Sequence, residues 1–179
     1  VDNVGSYKVV ASEELYSGKL RAVKEVIETC DGRRFVHETI EHPGAIVVLP
    51  VDDEKRIVCV SQYRHSVGKT VLELPAGTLE VDEEPIVCAQ REIQEEIGFG
   101  ARTLKPLGAL YPAPGFCNEQ QHLFFAAELF EQHAQCDEDE DITTIRLTVS
   151  EFERAIVSGD MQDAKSIALF MRARLEGLV

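Results

Sequence analysis

The sequence predicts an α+β domain in which helices flank a mixed β-sheet, and three observations predict it. The first forty residues alternate apolar and polar side chains across two glycine turns. Two unbroken β-rich runs come next, AIVVLPV (45–51) and RIVCVSQYR (56–64). Helical periodicity is confined to one stretch in mid-chain and two at the C-terminal end.

The elements follow in order. YKVVASEELY, KLRAVKEVIE and RRFVHETIEH read as strands joined at Ser17-Gly18 and Asp31-Gly32, both of which carry hairpin chemistry. The runs at 45–51 and 56–64 are joined by the acidic turn Asp52-Asp53-Glu54, and their lack of polar alternation predicts burial on both faces. A short strand is expected at LELPAG (72–77), then a helix from about Asp82 to Ile97. Asp82 is the expected cap, Pro85 is tolerated in the first turn, and Gly98 suits a left-handed C-terminus. Strands are expected at LKPLGALY, QHLFFAAEL and TTIRLTV. Ser150-x-x-Glu153 reads as a capping box for a helix that stops at Gly159. The last helix carries Ile167, Phe170, Met171 and Leu175 at helical spacing, which predicts a core-facing stripe. Residues 1–41 form an N-terminal strand region whose edges need a partner, and 42–179 form the main domain.

Composition narrows the function. At 179 residues, with 44% apolar and 28% charged, the chain suits one globular domain. Eighteen basic against 32 acidic residues give a net charge of −14. Such a surface repels nucleic acid and anionic membranes, so neither is expected as a partner. No apolar run approaches bilayer length, and VDNVGSYK shows no basic and apolar signal pattern. The five scattered cysteines form no CxxC or Cys/His cluster, so they read as small buried hydrophobes of a cytoplasmic protein.

The informative stretch is GTLEVDEEPIVCAQREIQEEIGF (77–99). On a helix, Glu92 and Glu96 are neighbours one turn apart and Glu95 sits three residues from Glu92, within an arc of about 100°. Ile86, Ile93 and Ile97 fall on a different arc that can face the core. Three clustered carboxylates repel one another unless a cation offsets them. Oxygen-only donors suit a hard ion such as Mg²⁺, with Mn²⁺ as a substitute. The plain alternative is a solvated acidic face.

The surrounding residues decide against that alternative. The stretch resembles the Nudix box, Gly-x5-Glu-x7-Arg-Glu-U-x-Glu-Glu-x-Gly-U with U apolar. It matches at Gly77, Glu83, Arg91, Glu92, Ile93, Glu95, Glu96, Gly98 and Phe99. Seven fixed residues at roughly one in fifteen each agree by chance on the order of 10⁻⁸ per start. The resemblance implies a Nudix-type α/β/α sandwich that cleaves nucleoside diphosphates linked to another group. It implies metal ligation by Glu92 and Glu96 with Glu95 nearby, joined by a backbone carbonyl at Ala76 or Gly77. Glu83 and Arg91 would hold the geometry of loop and helix, with Arg91 away from the centre of the carboxylate arc.

More of the chain, about 40–179, resembles the ADP-ribose pyrophosphatase and nucleotide-sugar pyrophosphatase branch. The landmarks are QYR (62–64), ELPAG (73–77), Pro114 and Gly115, Glu119, and the acidic loop DEDEDI (137–142). By similarity, Arg64 contacts the phosphates or terminal ribose, and Glu73, Pro114, Gly115 and Glu119 join the substrate site. Glu138 is implied as general base and Glu140 as an additional metal ligand. The implied products from ADP-ribose are AMP and ribose 5-phosphate, and dimeric relatives imply a homodimer. The sequence has no Trp, so base stacking falls to Phe35, Tyr63, Tyr111 or Phe116. A GDP-mannose or other nucleotide-sugar pyrophosphatase uses the same box. A non-catalytic ADP-ribose sensor should show a degraded box and a basic DNA-binding module, and the sequence has neither.

Overall fold

A computed structural model of the chain describes residues 7–18, 20–132 and 142–179. The fold separates into two compact units. The first contains the described residues up to Gly44 together with Tyr111–Gln120, and the second contains Ala45–Leu110 and Gln121–Val179.

The first unit is an antiparallel sheet of β1 (Lys8–Ser17), β2 (Arg21–Glu28) and β3 (Arg34–Glu41), in the order β1-β2-β3. Gly32 takes φ of +81° in the second turn, which a side chain would resist. Segment 111–120 is tied to the end of β3. Ile40 donates to Phe116 O at 2.7 Å, and Asn118 donates to Ile40 O at 3.1 Å. The Asn118 carboxamide accepts from His42 N–H at 2.8 Å.

The second unit holds β4 (Ala45–Pro50), β5 (Ile57–Arg64), β6 (Lys69–Glu73), β7 (Ala76–Thr78), β8 (Phe99–Leu110), β9 (Gln121–Glu131) and β10 (Ile142–Leu147). Its helices are α1 (Pro85–Ile97), α2 (Val149–Ser158) and α3 (Ala164–Leu175). The strands form two sheets, β7-β4-β9-β8 and β10-β5-β6. The pair β4–β9 is parallel and the other pairs are antiparallel, so the unit is mixed, as expected.

The sheets separate two cores, and this explains the unbroken apolar runs. Val47, Leu49, Ile57, Cys59, Leu123 and Phe125 pack with Phe152 of α2 and Leu169 and Phe170 of α3. Their strand neighbours Ile46, Val48, Val58, Val60, Phe124 and Ala126 pack on the other side with Cys88, Ala89, Ile93 and Ile97 of α1. A strand covered on both faces has no polar register. Phe152 and Phe170 stack with ring centroids 4.4 Å apart, and burying each contributes about 1.5–3 kcal/mol.

Four local expectations are corrected. Asp82 does not cap α1. It lies at φ +60°, and the N-cap is Glu84, whose side chain makes no capping bond. Ile86, the second residue of α1, is exposed, and the buried face of the helix is Cys88, Ala89, Ile93, Glu96 and Ile97. The capping box of α2 is Thr148 with Glu151, two residues before the expected pair, a register that buries Phe152. In α3 the buried set is Ser166, Leu169, Phe170 and Ala173, whereas Met171 and Leu175 are exposed. Ser166 occupies a core position because its hydroxyl accepts from Leu74 N–H at 2.7 Å, which turns that face inward.

Candidate active site

The box begins on β7, which pairs with β4 through Val47 and Ala76, Ile46 and Gly77, and Ala45 and Thr78. A tight loop then leads into α1. Gly98 ends the helix at φ +72°, its N–H bonded back to Gln94 and Ile93 carbonyls. With Ile93 and Ile97 in the core, the helix carries its three carboxylates toward β7 and the loop. Glu96 is itself buried, and its Oε2 accepts from Ala76 N–H at 3.1 Å. The Glu92 carboxylate lies against Gly77, in space that a Cβ there would fill.

Arg91 is the cation that this cluster requires, and its position corrects the helical-arc reading. Its guanidinium bonds Glu83 through Nε and Nη2, each at 2.9 Å, while Nη1 bonds Glu92 at 2.8 Å and Glu95 at 2.9 Å. The arc placed Cβ directions correctly, but the long side chain reaches across its neighbours. The Arg91 bond holds the Glu83 carboxyl far below its ordinary value of 4.5, at about 2, against a smaller upward push from burial. Hydrogen bonding to Glu83 likewise raises the Arg91 pKa. Cys88 lies 3.3 Å from the guanidinium, yet burial pushes its thiol up, so it is no nucleophile. Burial also pushes Cys59 up to about 12.

A second charged cluster sits where β5 and β6 meet the start of α3. Arg64 holds Glu73 bidentately, Nε to Oε1 at 2.7 Å and Nη2 to Oε2 at 2.8 Å. Lys165 bonds the same Oε2 and also pairs with Asp163 at 3.0 Å. Asp163 caps α3 by accepting from Ser166 N–H at 3.1 Å. Arg64, Lys69, Glu73, Gln162 and Lys165 line a cavity of about 370 Å³. Lys165, Asp163 and Ser166 are additions that the sequence reading missed, since Lys165 and Ser166 stand ninety-two residues from Glu73 and Leu74, and Asp163 joins the cluster only through them.

Of the expected site residues, Ala76, Glu92, Glu95 and Glu96 are brought together, and Arg64 and Glu73 pair with each other. Phe35, Pro114, Gly115 and Glu119 belong to the first unit. There Phe35 packs edge-to-face on Tyr7, with centroids 6.1 Å apart. Glu138 and Glu140 lie outside the described residues. Among the described residues no three His, Cys, Asp or Glu side chains converge closely enough to hold a metal ion, because Glu92 turns to Arg91 and Glu96 to the Ala76 N–H.

Comparisons with known proteins bear on the family and the fold. A NUDIX domain model matches residues 41–170, well over half of the chain. The chain is 38% identical over 162 residues to an ADP-ribose pyrophosphatase of Bacillus subtilis (strain 168), covering 89% of this chain and 88% of that protein. It is 34% identical over 172 residues to a methanol dehydrogenase activator of Bacillus methanolicus, covering 94% and 93%. A solved structure of an ADP compounds hydrolase shares the fold at a TM-score of 0.86 and 21% identity, covering 99% of this chain and 98% of that one. With the box intact around Arg91 and the family match running from the end of β3 into α3, the chain belongs to the NUDIX domain family and is a Nudix hydrolase.

Proposed function

We propose that the chain hydrolyses the diphosphate bond of ADP-ribose or a related nucleoside diphosphate sugar, giving a nucleoside monophosphate and a sugar phosphate. The observation that carries this reading is the seating of Glu92 and Glu96, one turn apart, against Gly77 and the Ala76 N–H. Every side-chain donor there is a carboxylate oxygen, a set that fits a hard divalent cation. In this reading Glu92, Glu96, the Ala76 carbonyl and Glu140 hold Mg²⁺, or Mn²⁺ in its place, with Glu95 alongside. Bound there, such an ion supplies neutralisation of phosphate charge and a more acidic water.

The chain's own residues do the rest. Arg64 binds the diphosphate, which a protein of net charge −14 would otherwise repel. Glu138 accepts the proton of the attacking water as its oxygen bonds to phosphorus and the bridging P–O bond breaks. Glu73 holds the Arg64 guanidinium in place for that contact. We infer a homodimer as well, supported by the exposed apolar side chains Val9, Leu15, Tyr16, Phe35 and Val36 on the β1–β3 sheet. A cytoplasmic location is supported by four described cysteines that are all free.

The deciding experiment is phosphatase-coupled phosphate release from a panel of nucleoside diphosphate conjugates with Mg²⁺. ADP-ribose should be turned over best, and GDP-mannose turned over tenfold better would pass the assignment to that sugar. Release from no conjugate would overturn the catalytic reading. Glu138→Gln should lower kcat by about two to four orders of magnitude at unchanged Mg²⁺ half-saturation. Glu140→Gln should raise that half-saturation instead.

A further inference from the structure

We propose that Lys165, in the first turn of α3, is a positioning residue for the diphosphate: by sharing the Glu73 carboxylate, it leaves the Arg64 guanidinium with charge to offer the phosphates. This rests on the reading that Arg64 binds them.

The geometry sets two cations on one buried anion. The Glu73 side chain is 3% exposed and that of Lys165 is 14% exposed. Arg64 commits one fork, Nε and Nη2, to Glu73, which fixes the plane of the guanidinium. Its side chain remains 36% exposed and lines the cavity of about 370 Å³ beside β6 and α3. An arginine paired with a carboxylate of its own is close to neutral as seen by an arriving anion. A second cation on that carboxylate changes the sum. Arg64 and Lys165 together carry one more charge than Glu73; both line the cavity, and Arg64, at 36% exposed against 14% for Lys165, is the more open to it. Asp163 draws on Lys165 as well, but it is the N-cap of α3, and the partial positive charge of about one half at the helix N-terminus leaves the cluster net positive. Burial pushes the Glu73 carboxyl up, yet Arg64 and Lys165 together outweigh that push and hold it below its ordinary value. Glu73 therefore stays an anion and needs its partners.

The alternative is that Lys165 only neutralises a buried carboxylate for stability. A double-mutant cycle separates the two roles. Lys165→Gln keeps a donor for Glu73 and removes the charge. It should raise KM for ADP-ribose about tenfold, the size of one charge-assisted contact. The kcat and the Mg²⁺ half-saturation should change little, and Lys165→Arg should restore KM. In a Glu73→Gln background, where there is no anion to share, Lys165→Gln should leave KM unmoved. Equal KM increases in both backgrounds, or a change confined to melting temperature, would overturn the proposal. Arg64→Ala in the same series identifies which reading fails. If it raises KM and Lys165→Gln does not, the sharing role alone falls. If Arg64→Ala leaves KM unchanged, the phosphate assignment falls and this inference with it.

Discussion

At Gly77 the absence of a side chain is a requirement of its neighbour, because a Cβ would enter the space of the Glu92 carboxylate. Gly77→Ala should therefore displace Glu92 while β7 keeps its pairing to β4. A misplacement of that order should lower kcat by about a hundredfold. A melting temperature near wild type together with unchanged turnover would mean that the seat does not matter. Glu83 offers a test through pH. Its folded pKa, about 2, lies below the ordinary 4.5. The stability it contributes is thus complete above about pH 4.5 and is lost as the pH falls toward 2. The melting-temperature gap between wild type and Glu83→Gln should be constant and widest above about pH 5.5 and close by pH 2. A gap independent of pH would show that Arg91 does not hold Glu83 in this way.

At the scale of elements, the α2 cap shows why local patterns mislead by a residue or two. Thr148-x-x-Glu151 and Ser150-x-x-Glu153 both satisfy the capping pattern, two residues apart in one segment. Only the first register buries Phe152 against Phe170, and the packing selects it. Thr148→Ala should cost about 1 kcal/mol, or roughly 2–4 °C in melting temperature, and Ser150→Ala should cost little. The reverse order in thermal melts would contradict the assigned cap. The buried stripe of α3 departs from its apolar periodicity for a related reason. A polar Ser166 in the core breaks the apolar count, and its hydroxyl is satisfied there by Leu74 N–H and the Asp163 carboxylate. Ile86 fits the helical pattern of α1 but is the second residue of the helix, where its side chain stays about half exposed beside Leu104.

For the whole molecule, the β1–β3 sheet leaves Tyr16 and Val36 more than half exposed, and Leu15 about half. Apolar side chains so placed favour association with a like surface. Light scattering at micromolar concentration should give a mass of about 40 kDa, twice the 19.9 kDa of one chain. A species of about 20 kDa under those conditions would overturn the dimer.

The sequence by itself determined the fold class, the order of the strands and helices, and the box, because each depends on near neighbours. Periodicity, turn chemistry and the spacing of carboxylates along one helix are properties of a local stretch, and Gly77 to Phe99 states them all. Only the tertiary structure decided which side chains share a charge. Arg91 became the hub of Glu83, Glu92 and Glu95 through the reach of its side chain. Glu73 acquired Lys165 from ninety-two positions away, because α3 packs its first turn against the end of β6. Electrostatic contacts act through space, and separation along the chain carries no record of which charges folding will bring together.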